Sequence, residues 1–157
     1  MGLDMYLSKK TYVKNQLYMG KDEKTYVTIS GENPNKIKGD RVEFIEESIM
    51  YWRKANHIHK WFVDYVQSGD DDCGEYEVSI SELRKLRDLC KLIMDDNERA
   101  EELLPCTKGF FFGTDQYDEY YFHSIYETYK NIKELVEDME GVPKGKLTSL
   151  INYRASW

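Results

Sequence analysis

The side chains best equipped for chemistry cluster in Tyr51–Phe62, YWRKANHIHKWF, where Arg53, Lys54, Asn56, His57, His59 and Lys60 lie between Trp52 and Trp61. A guanidinium grips phosphate through two parallel hydrogen bonds, and aromatic faces stack on nucleobases. The set therefore suits a phosphorylated, base-containing ligand. Arg53 and Lys54 would meet phosphate, Asn56 and His59 would supply hydrogen bonds, and Trp61 or an aromatic of Gly109–Tyr121 would stack. The same pattern also describes a surface helix with solvated lysines and inward-packed tryptophans. Both readings stand at this point. His57 and His59 do not suggest a metal site, because residues two apart on a helix point to nearly opposite sides.

A second constellation is GFFFGTDQYDEYYFHSIY, Gly109–Tyr126. Nine of the chain's twenty-two aromatic residues lie between Phe110 and Tyr129, a density that core packing alone does not require. Phe111, Tyr117, Tyr120 and Tyr121 are candidates for lining a ligand pocket. The alternative is that these aromatics cover the core with their hydroxyls in water. A helix starting after Gly113 could hold an anion at its N-terminus, but Asp115 and Asp118 favour capping there instead.

Catalytic patterns are sparse. The chain has no G-x-S-x-G, no Walker loop and no H-E-x-x-H. Cys73 follows three aspartates, an environment that raises a thiol's pKa. Asp70–Asp72 lacks the alternating spacing of a calcium loop. His59 is a lone candidate for general acid–base work, with no partner visible nearby. Binding without chemistry, and without a cofactor or metal, is the expectation.

The elements that must position these residues can be read from periodicity. Met1, Leu3, Met5 and Leu7 alternate with polar neighbours, which predicts a half-buried strand running to Val13. Lys24–Ser30, KTYVTIS, predicts a second strand, with a hairpin turn at Gly20–Glu23. Gly31–Asp40 reads as a loop, and Arg41–Met50 is ambiguous, with Val42, Phe44 and Ile45 able to form a third strand. From Trp52 to Val66 the stripe Ala55, Ile58, Phe62 and Val66 predicts a helix. Ser79 and Glu82 form a capping box for a second helix that buries Leu83, Leu86, Cys90 and Ile93. A short helical turn follows at Glu98–Leu103, and Gly109–Gly113 reads as a short buried strand or a tight loop. Thr114 or Asp115 is expected to cap a long helix reaching Met139, with Tyr121, Ile125, Thr128, Ile132, Leu135 and Met139 inward.

Strands first and helices afterwards predict an α+β fold, a small antiparallel sheet from the N-terminal third packed against about three helices. At 157 residues the chain suits a single domain, 1–157, with 142–157 expected as a loosely attached tail. Net charge is −7, with eleven Lys/Arg against eight Asp/Glu in residues 1–60 and eleven against twenty-one thereafter. That balance argues against general nucleic-acid binding, which needs clustered cations. No apolar run is long enough to cross a bilayer. Three scattered cysteines and the absence of a secretory pattern predict a cytoplasmic protein.

The opening MGLDMYL, the block YWRKAN-x-IH-x-WFV, the acidic DDC, and LLP followed by GFFFG resemble a family of small bacteriophage-encoded proteins. The resemblance covers most of the chain apart from residues 14–40 and those after Gly141. It brings no activity and no site residue. What it implies is a setting: an accessory phage protein in the host bacterial cytoplasm, countering bacterial defence. Joined to Tyr51–Phe62, it gives the expectation of a sponge for a nucleotide-derived signal. A hydrolase of the same ligands and an inhibitor that binds a host defence protein through an acidic surface are the alternatives. Assembly into a homo-oligomer is compatible with each.

Overall fold

In the computed structural model, residues 2–13, 27–109, 112–143 and 148–157 are described. The N-terminal alternation becomes strand β1 (Asp4–Tyr12), with Leu3, Met5 and Leu7 fully buried on one side. The elements that follow are β2 (Phe44–Arg53), α1 (Asn56–Tyr65), β3 (Glu75–Glu77), α2 (Ile80–Asp95), α3 (Ala100–Leu103), α4 (Glu119–Gly141) and β4 (Thr148–Ser156). The four strands form one antiparallel sheet in the order β2-β1-β4-β3. This is the α+β fold expected from the sequence.

Helices pack on the sheet face that carries Met5, Leu7, Trp52, Ile151, Tyr153 and Ala155, all buried. The capping box at Ser79 is formed as read, with Ser79 Oγ accepting from the Glu82 N–H and Glu82 accepting from the Ser79 N–H. The predicted stripe of α2 is buried, and so is that of α4 from Tyr121 to Leu135, while its last member, Met139, is only half-buried. Phe62 of α1 stacks on Tyr153 of β4 with centroids 3.8 Å apart and planes 7° from parallel. Among the described residues no helix is long and apolar enough to cross a membrane.

Four expectations need correction. Val27–Ser30 forms no strand, while the rest of Lys24–Ser30 and the turn at Gly20–Glu23 fall outside the described residues. The partner of β1 is instead β2, paired from Asp4↔Arg53 to Tyr12↔Phe44 with a bulge that leaves Ile49 unmatched. The first helix starts at Asn56, so Trp52 and Arg53 end a strand. Asp118, rather than Thr114 or Asp115, caps α4 by accepting from the Tyr121 N–H. Finally, residues 148–156 are no loose tail: β4 lies between β1 and β3 and places Ile151, Tyr153 and Ala155 in the core.

An inner strand cannot be removed without opening both neighbouring ladders. A chain ending at residue 147 should therefore lose its cooperative thermal transition by circular dichroism. Tyr153→Ala in the full chain should lower stability by about 3–5 kcal/mol, as truncation of a large buried aromatic does. A shortened chain that melts like the full one would contradict this placement.

Candidate functional site

Between the end of β2 and the start of α1 the chain reverses in two residues. Lys54 adopts φ 55°, a left-handed conformation unusual for a residue with a side chain, and its N–H donates to Leu3 O at 2.7 Å. Gly113, at φ 89°, packs on this turn so closely that a Cβ there would lie 2.9 Å from Lys54 Cβ. Only glycine meets both demands.

The reversal leaves α1 with a bare start. Ala55 is its N-cap and offers no side-chain bond, and its carbonyl accepts from the N–H groups of Ile58 and His59. The N–H groups of Asn56 and His57 make no hydrogen bond among the described residues. Both residues line a cavity of about 280 Å³ whose wall includes Arg53, Lys54 and His57 as well as Tyr120, Tyr121 and Asp118 of the α4 start. Arg53 and Lys54 are exposed, and neither forms an ion pair among the described residues. Two cations and a helix N-terminus thus point their positive potential at one hollow. The start of α4 has no such capacity, because Asp118 already occupies it.

Asn56 and His57 hold this arrangement in place. The Asn56 amide donates to Phe112 O at 3.0 Å and to Thr114 O at 2.9 Å, while its oxygen accepts from the Thr107 N–H at 2.8 Å. It clamps both arms of the loop between α3 and α4 and has no donor left for a ligand. His57 lies over Tyr121 with centroids 4.1 Å apart and bonds Ser124 Oγ through Nε2 at 2.8 Å. Its burial pushes the imidazole pKa down to about 3, so the ring is neutral. Cys106, also at the cavity, has its thiol pushed up by burial and by Asp115, and stays protonated.

The residues singled out in the sequence are therefore divided. Arg53, Lys54, Asn56 and Tyr121 meet at the cavity, although Asn56 is committed to the loop and the Tyr121 hydroxyl donates to Leu104 O at 2.8 Å. Trp61 is buried against Phe62 and Tyr65 and does not reach the cavity, so it offers no stacking face. Tyr117 sits behind the wall, its ring on Tyr121 and its oxygen accepting from the Cys106 N–H. Phe111 falls outside the described residues. His59 is buried with both nitrogens engaged, Nδ1 with the Tyr153 hydroxyl at 2.7 Å and Nε2 with Asp71 Oδ2 at 3.0 Å. The Trp157 indole N–H donates to the other oxygen of Asp71 at 3.0 Å, closing that network over the C-terminus. His59 thus has the partners the sequence did not reveal, but no access to the cavity.

Tyr120, named with Tyr117 and Tyr121 in the sequence, does line the cavity, and so do Cys106 and Gln116, which the sequence did not single out. The Tyr120 hydroxyl donates to Arg53 O and closes one edge of the hollow. Among the described residues no group of three His, Cys, Asp or Glu side chains could hold a metal ion. No family model, curated protein or solved structure matches this chain.

Two expectations follow. Asn56→Ala strips partners from two carbonyls and one N–H, and should lower stability by about 1–3 kcal/mol in urea unfolding. His57 binds its proton more weakly folded, at about 3, than at its ordinary 6.5, so the unfolded chain is protonated first as the pH falls. Its stabilisation is therefore intact above about pH 6.5 and is lost below it at up to about 1.4 kcal/mol per pH unit. His57→Phe should flatten the stability difference between about pH 7 and about pH 5, relative to the parent chain, in the same measurement.

Proposed function

We propose that this chain binds a small phosphorylated ligand of nucleotide type in the cavity at the start of α1 and holds it without chemistry. In the phage setting that the sequence resemblance implies, it would counter bacterial defence by sequestering a nucleotide-derived signal. The setting rests on that resemblance alone. The site rests on one observation: Arg53, Lys54 and the open N–H groups of Asn56 and His57 border the same hollow.

Three further features support the reading. Tyr120, exposed at the rim, offers an aromatic face to a base. The cavity's thiol is protonated and its imidazole is a very weak base, so neither suits nucleophilic or acid–base work. His59, the candidate acid–base residue, is sealed away from the cavity. These points favour a sponge over a hydrolase.

Lys54 gives a test that separates a ligand contact from a structural role. Its left-handed backbone costs about 1 kcal/mol, and strain of this kind is retained where function uses it. Lys54→Gly should leave the melting temperature unchanged or higher, yet weaken nucleoside monophosphate binding about tenfold by calorimetry. Ligand recovered after denaturing the wild-type complex should have its original mass. Undiminished binding by Lys54→Gly would remove the site from this cavity.

A further inference from the structure

The hydrogen bonds around His57 fix which of its nitrogens carries the proton. Ser124 Oγ lies 2.7 Å from Tyr121 O, and a carbonyl only accepts, so the single hydroxyl proton of Ser124 goes there. The contact between Ser124 Oγ and His57 Nε2 must then be donated by the ring. A neutral ring protonated at Nε2 leaves Nδ1 as a bare lone pair. Nδ1 has no partner among the described residues, and it is not among the sealed side-chain atoms that lack one, which are Gln67 Oε1 and Thr107 Oγ1. His57 itself is 3% exposed and lines the cavity.

The wall therefore carries two kinds of group. Arg53, Lys54 and the α1 N-terminus attract an anion. The His57 lone pair and the Asp118 carboxylate call for hydrogen-bond donors, and both oppose phosphate oxygens. An inorganic phosphate would use only the first kind.

We propose that His57 Nδ1 is the specificity-determining acceptor of this site, receiving an N–H or O–H of the ligand's uncharged part while Arg53 and Lys54 hold its phosphate. The ligand class is then a phosphorylated molecule with a neutral donor group, as a nucleoside monophosphate has in its base and ribose. Size agrees: about 280 Å³ is at the small end of ligand pockets, which start near about 300 Å³, and suits one nucleotide unit better than two. This inference rests on the reading of the cavity as an anion site, and it adds what distinguishes one anion from another.

Cys106 supplies the readout. It borders the cavity, whereas Cys73 is exposed elsewhere and Cys90 is buried, so alkylation of Cys106 relative to Cys73 reports occupancy by mass spectrometry. The probes are the four common nucleoside 5′-monophosphates and inorganic phosphate. In the wild type at least one monophosphate should protect Cys106 at about tenfold lower concentration than phosphate does. His57→Phe, which keeps a ring over Tyr121 but has no acceptor, should lose about tenfold for that nucleotide and nothing for phosphate, as loss of one buried hydrogen bond predicts. Equal loss for both probes, or no loss for either, overturns the role of His57. Protection by phosphate with no gain from any nucleotide overturns the ligand class while leaving the anion site standing. Protection by neither probe overturns the anion site as well. Nitrogen-15 NMR of the unliganded protein tests the premise independently of the variant's folding: Nε2 should be protonated and Nδ1 bare, and the reverse assignment overturns the proposal.

Discussion

At Lys54 the chain must stop being a strand and become a helix almost at once, and the features of the site descend from how it does so. Arg53 is still in β2, paired with Asp4, and Asn56 is already in α1. A left-handed residue between them turns the backbone, and Gly113 presses against that turn. Ala55 at the N-cap is buried and has no side chain that could cap the helix. The uncapped amides, the two cations and the clamp on the loop all begin here. A gentler connection would have allowed a cap and removed the positive hollow.

The polar groups beneath the hollow form one chain rather than separate pairs. The Trp52 indole donates to Thr128 Oγ1 at 2.7 Å, Thr128 donates to Ser124 O at 2.6 Å, and Ser124 links Tyr121 O to the His57 ring. Each donor and acceptor in that run is taken up to the last member, His57, which still has a lone pair. Buried hydrogen bonds of this kind are strong because little water competes with them, and an unpaired member is costly for the same reason. It follows that the sheet and α4 set the orientation of His57 from below. The cavity is thus rigid on the side where a donor would be read. On its other side, Arg53 and Lys54 are exposed on flexible stems that could adapt to the proposed anion.

The sequence made some of this legible and hid the rest for definite reasons. Strand β1 and helix α2 bury one clean face each, so the alternation at Leu3–Leu7 and the stripe from Leu83 to Ile93 reported them faithfully. Strand β2 lies at the sheet edge and is mostly exposed, so Glu46 and Glu47 blurred its pattern and Lys24–Ser30 looked the better strand. Strand β4 is polar at its start and gains its order from β1 and β3, partners that no local window contains. At the site, residue types were informative and roles were not. Arg53 and Lys54 looked like phosphate-binding groups and do stand at a cavity. Asn56 looked the same but is held by backbone 51 to 58 residues away. His59 and His57 were told apart only by Tyr153 and Ser124, at separations of 94 and 67 residues.

The charge of the whole molecule bears on what such a hollow can hold. At −7 overall, with most of the acidic excess after residue 60, the field at a distance repels anions. Screening confines that repulsion to about 8 Å at physiological salt, and inside it the nearest charges dominate. A small anion at the start of α1 is close to Arg53, Lys54 and the helix amides together, and only Asp118 among the cavity's lining carboxylates opposes it. A long polyanion could place one phosphate in the same spot, but the rest of it would meet the acidic excess of the whole molecule. For the proposed site, that balance of charge would favour a short ligand over a nucleic acid, independently of cavity size. On the proposed reading, where attraction for phosphate is local and modest, the remaining affinity would come from the uncharged part of the ligand, and the His57 Nδ1 lone pair is the buried acceptor that would receive it.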